Sequence, residues 1–388
     1  MTRISFLIVG GGIGGLAAAL ALARRGVAVH LIEKAAEFGE LGAGIQLAPN
    51  ASFVLDRLGI LESIAPLAVF PKRISWLDAI SGEPLTSLDL GARFRARYGY
   101  DYIVMHRSDL LAALLRACRA HPLIALETDK DVVAVEDRVA SAVAVCADGT
   151  SYACDALIGA DGLWSTVRRF VIDDGDPICC EYVAYRGAIP IAEVSASAEL
   201  DEVVLWTGPE MHLVQYPVRR GELYNQVAVF KSARYRPDSD DWGTPDELDA
   251  RFGAGAQRVQ AALTKIKRDR RWPMFDRLPA ANWTRHRITL LGDAAHPMLQ
   301  YLAQGACQAL EDALALAGAV AADRDDFATA LRAYQTTRAE RAGRVQTTAR
   351  AWGEFWHVHP GDQLSRRNAA LAARAPDEFS ETDWFYAR

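Results

Sequence analysis

Apolar residues fall along this chain in two rhythms. Short unbroken apolar runs closed by glycine mark buried strands, and longer alanine- and leucine-rich runs mark helices. The first pair is ISFLIV at 4–9 and LAAALALA at 16–23, joined by GGGIGG at 10–15. A run with no polar alternation suits a strand covered on both faces, as in a parallel sheet. The pattern therefore predicts a strand at 4–9, a helix at 14–25 and a strand at 27–32, a βαβ unit. A glycine-rich loop, Leu41-Gly42-Ala43-Gly44, and a helix at about 50–58 follow. Ser108 is the expected N-cap of an apolar-periodic helix running to Arg119. Residues 131–153 alternate apolar and polar as antiparallel strands turning at Asp148-Gly149, and a short buried strand at 156–160 ends at Asp161-Gly162.

The rhythm changes near Cys179. Aromatic and β-branched stretches at 182–190, 202–206, 211–218 and 223–230, with turns at Gly208-Pro209 and Arg220-Gly221, predict a separate antiparallel sheet. A helix is expected from Pro245, capped by Thr244. A strand at 286–291 returns to the first lobe, helices at 305–321 and 325–350 close it, and the Trp-, Phe- and His-bearing tail from Trp352 reads as packed. The expected architecture is α/β: a Rossmann-like nucleotide domain over 1–71, 99–178 and 270–345, an inserted antiparallel-sheet substrate domain over 72–98 and 179–269, and a helical C-terminal segment over 346–388.

Composition narrows the function. A length of 388 residues allows two or three lobes, and a net charge of −6 without blocks of like charge argues against a nucleic-acid surface. The apolar stretch at 4–23 follows Arg3 as a signal peptide or membrane span would, but its glycines break a spanning helix. Six cysteines show no paired metal spacing, and neighbours Cys179 and Cys180 are poorly placed to bridge each other; reduced thiols in a cytoplasmic protein are expected. His357 and His359 form an H-x-H pair without a third ligand, so no metal site is expected.

In Gly10-x-Gly12-x-x-Gly15 the first glycine permits a tight turn, the second lets a pyrophosphate approach the backbone, and the third lets helix and strand pack closely. Free N–H groups at the helix start then face the diphosphate. Glu33, 18 residues past Gly15, is placed to bind an adenosine ribose. This motif alone does not separate FAD from NAD. Gly292-Asp293 puts a carboxylate directly after a buried strand, where it suits ribityl hydroxyls, and a helix starting near Gly305-Ala306 aims its positive dipole end at the same place.

Residues 10–15, Asp161-Gly162 and Gly292-Asp293 resemble, in order and spacing, the three motifs of the single-component FAD-dependent aromatic hydroxylases. Phe70-Pro71-Lys72, Tyr98-Gly99, His106-Arg107-Ser108-Asp109-Leu110, Gln215-Tyr216-Pro217, 225–230, Trp272-Pro273-Met274, 299–303 and Trp352-Gly353-Glu354 are similar to the 3-hydroxybenzoate 6-hydroxylases within that family. Relatives that resemble salicylate hydroxylase or 6-hydroxynicotinate monooxygenase carry proline near position 300, where this chain has Gln300.

The resemblance implies bound FAD, transient NADH, molecular oxygen and a phenolic acid, with a flavin C4a-hydroperoxide as the electrophile and gentisate as the product. It implies a homodimer as well. The cofactor set it implies is Gly10, Gly12, Gly14, Gly15, Glu33, Lys34, Gly44, Arg107, Asp161, Gly292, Asp293, Gly305 and Ala306. A phenolate donates electrons better than a phenol, so a base is needed. His212, with an ordinary pKa near 6.5, is the expected base. Residues 212, 214 and 216 share one strand face, which turns His212 and Tyr216 to the same side. Gln300 is expected at the phenolic oxygen, and Tyr102, Tyr216 and Leu47 around the ring and carboxylate. Salicylate or a hydroxypyridine carboxylate, and a flavoprotein that does not oxygenate, stand as alternatives.

Overall fold

Three parallel strands, drawn from the beginning, middle and far end of the chain, form the spine of the molecule. The computed structural model describes residues 4–39, 43–138, 140–194, 198–236 and 243–387. Leu41 and Gly42, read above as loop, lie outside the described residues. Ile4–Val9 pairs parallel with Ser151–Gly159 on one side and with Val29–Ile32 on the other, in registers such as Phe6 with Ala156 and Phe6 with Val29. Ile288–Leu290 adds in parallel to Ser151–Gly159, and Ile124–Glu127 to Val29–Ile32. The antiparallel strands Val132–Asp137 and Ala142–Cys146 extend Ser151–Gly159 sideways.

The apolar runs explain the layering. Phe6, Leu7 and Ile8 are fully buried, as are Leu157 and Ile158, because helices cover both faces. Helix Ile13–Ala23 has ten buried residues of its eleven, which its alanines permit by keeping it thin. It packs against helices Gly305–Ala322 and Arg107–Arg119.

A second sheet of seven strands runs in the order Arg271–Asp276, Ile178–Pro190, Leu223–Lys231, Met211–Val218, Glu202–Gly208, Arg73–Asp78 and Pro84–Asp89. Its pairs are antiparallel except Glu202–Gly208 with Arg73–Asp78, which is parallel. Arg271–Asp276, expected in the first lobe, hydrogen-bonds to Ile178–Pro190 instead. The chain thus leaves the second sheet after Asp276 and not at 270, because alternation in WPMF continued that sheet.

Two further expectations change. Helix Arg107–Arg119 starts one residue before Ser108, so His106 is its N-cap and the Ser108 hydroxyl pairs with the His106 ring at 2.7 Å. Thr244 does cap helix Pro245–Phe252 by position, but makes no side-chain cap bond. The tail is packed: helix Phe327–Trp356 continues through Trp352, and helices Asp362–Ala372 and Ser380–Tyr386 follow. All six cysteines are free thiols. Among the described residues no helix is long and apolar enough to cross a membrane.

One buried cation ties the middle of the chain to its far end. Arg168 is fully buried, and its Nη1 donates to the carbonyls of Ala294 and Ala295 at 2.9 and 2.6 Å while Asp174 takes Nη2 at 2.6 Å. Buried carbonyls that lose their donor cost about 1–3 kcal/mol each. Arg168→Met is therefore expected to lower stability by about 3 kcal/mol, read as a shift in urea midpoint. A shift below about 0.5 kcal/mol would show that the tie is not structural.

Candidate active site

One cavity of about 640 Å³ runs from the glycine turn to the second sheet, and both lobes and the C-terminal segment line it. At its first end, the glycines show separate duties. Gly10 takes φ +109°, and a Cβ there would meet the Ala160 carbonyl oxygen at 2.3 Å. A Cβ on Gly15 would meet the Gly10 oxygen at 2.0 Å, so Gly15 serves packing and does not line the cavity. Around Gly12 nothing lies within 4 Å, and the space where its Cβ would sit belongs to the cavity. That opening is what a diphosphate needs. Helix Ile13–Ala23 has no side-chain cap and no acidic residue in its first turn, which leaves its N–H groups for an anion.

Glu33 braces the turn: its two oxygens accept the Gly11 and Ala35 N–H groups at 2.6 and 2.9 Å. Each oxygen keeps a lone pair for a ribose hydroxyl. Lys34 lines the same end. Asp161 lines the cavity too, yet accepts from the Ser165 hydroxyl at 2.5 Å and the Val167 N–H at 3.2 Å, holding the start of helix Thr166–Val171. Burial pushes its pKa up, and these bonds offset part of that.

Gly292, Asp293, Gly305 and Ala306 line the middle of the cavity. Asp293 is exposed to it, whereas the backbone beneath is fixed by buried charge. The Asp312 carboxylate accepts the Gly292 N–H at 3.0 Å, the His296 ring at 2.6 Å and Arg338 Nε at 2.7 Å. Burial alone would raise the Asp312 pKa, but His296 and Arg338 hold it well below the usual carboxylate range. Helix Gly305–Ala322 has no side-chain cap and no acid in its first turn, so its positive end is open to the cavity. The open cradle at Gly12, the two uncapped helix starts and the exposed Asp293 carboxylate together fit a flavin dinucleotide.

At the other end the walls are aromatic. Trp76, Tyr301, Trp352 and Trp356 line the cavity, with Trp76 6.0 Å from Trp352 and 5.9 Å from Trp356. His212, Val214 and Tyr216 line it from one strand face, as the alternation of Met211–Val218 dictates. His212 is fully buried; its Nε2 stands 3.2 Å from the Gln300 amide nitrogen and its Nδ1 2.8 Å from His357 Nε2. The ordinary histidine pKa assumed from sequence does not hold, because burial, then the neighbouring His357, lowers it well below 6.5. Burial lowers His357 to about 3.

Tyr102 donates to Gln46 Oε1 at 2.7 Å, and burial raises the pKa of Tyr102 and Tyr216 well above that of a free phenol, so both stay protonated. Gly44 lines the cavity against the Tyr216 ring, and its N–H donates to Asn225 Oδ1 at 2.7 Å, which links the first lobe to the second sheet. Arg107 and Arg186 line the wall and supply positive potential beside Tyr216. Leu47 is corrected: it is fully buried in the first lobe's core and does not line the cavity, whereas its neighbour Gln46 does. Strand alternation turned the expected side chain away by one position. Sequence reading also missed Gln46, Trp76, Trp356, Arg186, His357 and Tyr386. Of these only the tail's aromatic richness carried a signal.

Comparison with known proteins identifies the family. Residues 3–349 match the FAD binding domain family. The chain is 38% identical over 385 residues to 3-hydroxybenzoate 6-hydroxylase 1 of Aquipseudomonas alcaligenes, covering 99% of this chain and 98% of that one. It is 40% identical to 3-hydroxybenzoate 6-hydroxylase of Klebsiella oxytoca, covering 98% and 96%. The structure of Klebsiella pneumoniae HpxO complexed with FAD and uric acid superposes with a TM-score of 0.84 at 25% identity, covering 96% of this chain and 93% of that one.

The glycines give a paired prediction. Gly12→Ala is expected to leave stability of the flavin-free protein within about 0.5 kcal/mol of the parent while weakening FAD binding at least tenfold, whereas Gly15→Ala loses the fold. Fluorescence titration with FAD and thermal melts separate the two, and equal effects of both variants would contradict the assignment. A second prediction concerns acid. His212 and His357 are buried neutral, so below about pH 6.5 the unfolded chain binds more protons than the folded one. Stability should then fall with falling pH by up to about 1.4 kcal/mol per unit for each ring. Replacing both by Asn should flatten the loss measured by urea unfolding between pH 7 and 5; an unchanged slope would mean that these rings are not buried neutral.

Proposed function

Because this chain belongs to the single-component FAD-dependent aromatic hydroxylases, flavoprotein monooxygenases, we propose that it hydroxylates 3-hydroxybenzoate at C6, para to the phenol, to give gentisate, with NADH as reductant. The observation that carries this reading is His212 Nε2 and the Gln300 amide facing an aromatic-walled chamber that opens into the glycine cradle. When bound and reduced, the flavin supplies the electrons that activate oxygen for transfer to the ring.

The chain's own residues prepare the ring. Trp76, Tyr301, Trp352 and Trp356 make a slot for a flat apolar body and exclude water from it. Neutral His212 presents a lone pair at Nε2, where Gln300 now donates, so a phenolic hydroxyl entering there gives its hydrogen to the same atom. Partial removal of that proton pushes electron density to the carbon across the ring. With the hydroxyl held at His212, that carbon lies on the side of the ring away from the imidazole. Tyr216, protonated, and the positive potential of Arg107 and Arg186 suit the carboxylate. Gln300 in place of proline supports the 3-hydroxybenzoate reading over salicylate or 6-hydroxynicotinate, because the amide adds a polar partner at this end.

Incubation of the yellow protein with NADH or NADPH and a panel of 2-, 3- and 4-hydroxybenzoates and 6-hydroxynicotinate, with mass spectrometry of the product, tests the reading. Oxygen uptake with salicylate and none with the 3-isomer would overturn it. His212→Asn is expected to lower coupled hydroxylation by about 100-fold and divert reducing equivalents to hydrogen peroxide. Unchanged coupling would remove His212 from the chemistry.

A further inference from the structure

We propose that His357 is the outer station of a two-imidazole proton path, through which the phenolic proton of the substrate leaves the chamber by way of His212. The inference rests on the reading above, in that a phenol lies against His212.

The hydrogen-bond chain fixes a direction. An amide nitrogen only donates, so with Gln300 Nε2 turned to it, His212 Nε2 accepts. The ring proton of neutral His212 then sits on Nδ1 and is donated to His357 Nε2, 2.8 Å away. The proton of neutral His357 is consequently on its Nδ1. The two rings lie nearly parallel, 5.0 Å apart at 22°, and Tyr182 stacks on His357 at 4.7 Å and 16°. Exposure rises along the chain: His212 is at 0%, His357 at 6%, and His359 beyond it is an exposed residue beside Glu210.

Burial decides what this pair does with a proton. Among the described residues, the His212 ring meets Gln300, Tyr301, Trp356 and His357, and Thr207 and Val229 flank it in the sheet; none of these is an anion. Around His357 stand Tyr182 and Tyr301, the cation Arg367 with Asp78 beyond it, and the turn bearing Glu210, whose N–H donates to the His357 carbonyl. A resting imidazolium at His212 would be a buried charge without a counter-ion, which burial penalises strongly. Storage is therefore excluded, and transit is what the geometry permits. As the phenol O–H bond breaks, a His212 Nε2–H bond forms; the His212 Nδ1–H proton passes to His357 Nε2, and the His357 Nδ1–H proton passes to water. Both rings end neutral with tautomers exchanged, the electron pair stays on the phenolate oxygen, and water becomes hydronium. A proton travelling inward resets the path.

The test uses the FAD-loaded protein, oxidised and without NADH, mixed with 3-hydroxybenzoate in weak buffer containing a pH indicator. The parent protein is expected to release protons on binding, with a bowed dependence of the rate on deuterium fraction because more than one proton moves. His357→Gln keeps an acceptor for His212 but cannot pass a proton on. It is expected to bind 3-hydroxybenzoate within threefold of the parent, release protons at least tenfold more slowly, and regain the rate in proportion to added imidazole. An unchanged rate, or a slowed rate that imidazole leaves untouched, overturns the path. Should His357→Gln not fold, the deuterium dependence of the parent decides: a strictly linear plot overturns it. If the parent neither binds nor hydroxylates 3-hydroxybenzoate, the functional reading fails instead, and the same release measurement with the panel phenol that does bind judges the path. Binding of a phenol with no proton release overturns it too.

Discussion

Two backbone segments approach each other in this protein more closely than any side chain allows. The Ala160 carbonyl presses on Gly10, and the Gly10 carbonyl presses on Gly15, at distances of 2.3 and 2.0 Å from where a Cβ would stand. Everything about the first lobe depends on that contact. It brings helix Ile13–Ala23 down onto the strand that precedes it, and it aligns Ile4–Val9 with Ser151–Gly159 so that both strands end at the same level. Ile288–Leu290 ends there as well, which places the glycine turn, Asp161 and Asp293 around one opening. Ligands of open parallel sheets bind at the carboxyl ends of strands for this reason.

The two ends of the cavity solve opposite electrostatic problems. The flavin end gathers uncapped helix starts and free N–H groups to receive a dianionic diphosphate. Beneath it, charges are fully paired: Asp312 takes three donors, and Glu311 takes Arg341, Asn50 and Arg338. The aromatic end carries a neutral imidazole pair and protonated tyrosines, all shifted by burial toward their uncharged forms. None of these four side chains carries a negative charge, and the cations beside them, Arg107 and Arg186, favour negative charge on what binds there.

Legibility in the sequence followed the range of the interaction. The glycine turn, Glu33, the strand face of His212 and Tyr216, and most element positions were readable because each depends on spacing of a few residues. Leu47 failed because its strand, Gly44–Leu47, is only four residues long, and alternation over so short a span has no anchor for its phase. The Arg271–Asp276 boundary failed because a strand's sheet is chosen by partners nearly a hundred residues away. His357 could not be found at all. It meets His212 across 145 residues, and nothing local in H-x-H tells which ring bonds to a distant histidine.

The order in which the spine is supplied has a consequence for biosynthesis. A chain made from its N-terminus delivers Ile4–Val9 at once, Ser151–Gly159 much later, and Ile288–Leu290 only when about three quarters of the 388 residues exist. The aromatic slot waits longer still, since Trp352 and Trp356 close it. Flavin capture is accordingly a late, whole-molecule event rather than a seed for folding, and the early glycine turn must persist beside an unfinished sheet until its distant neighbours arrive.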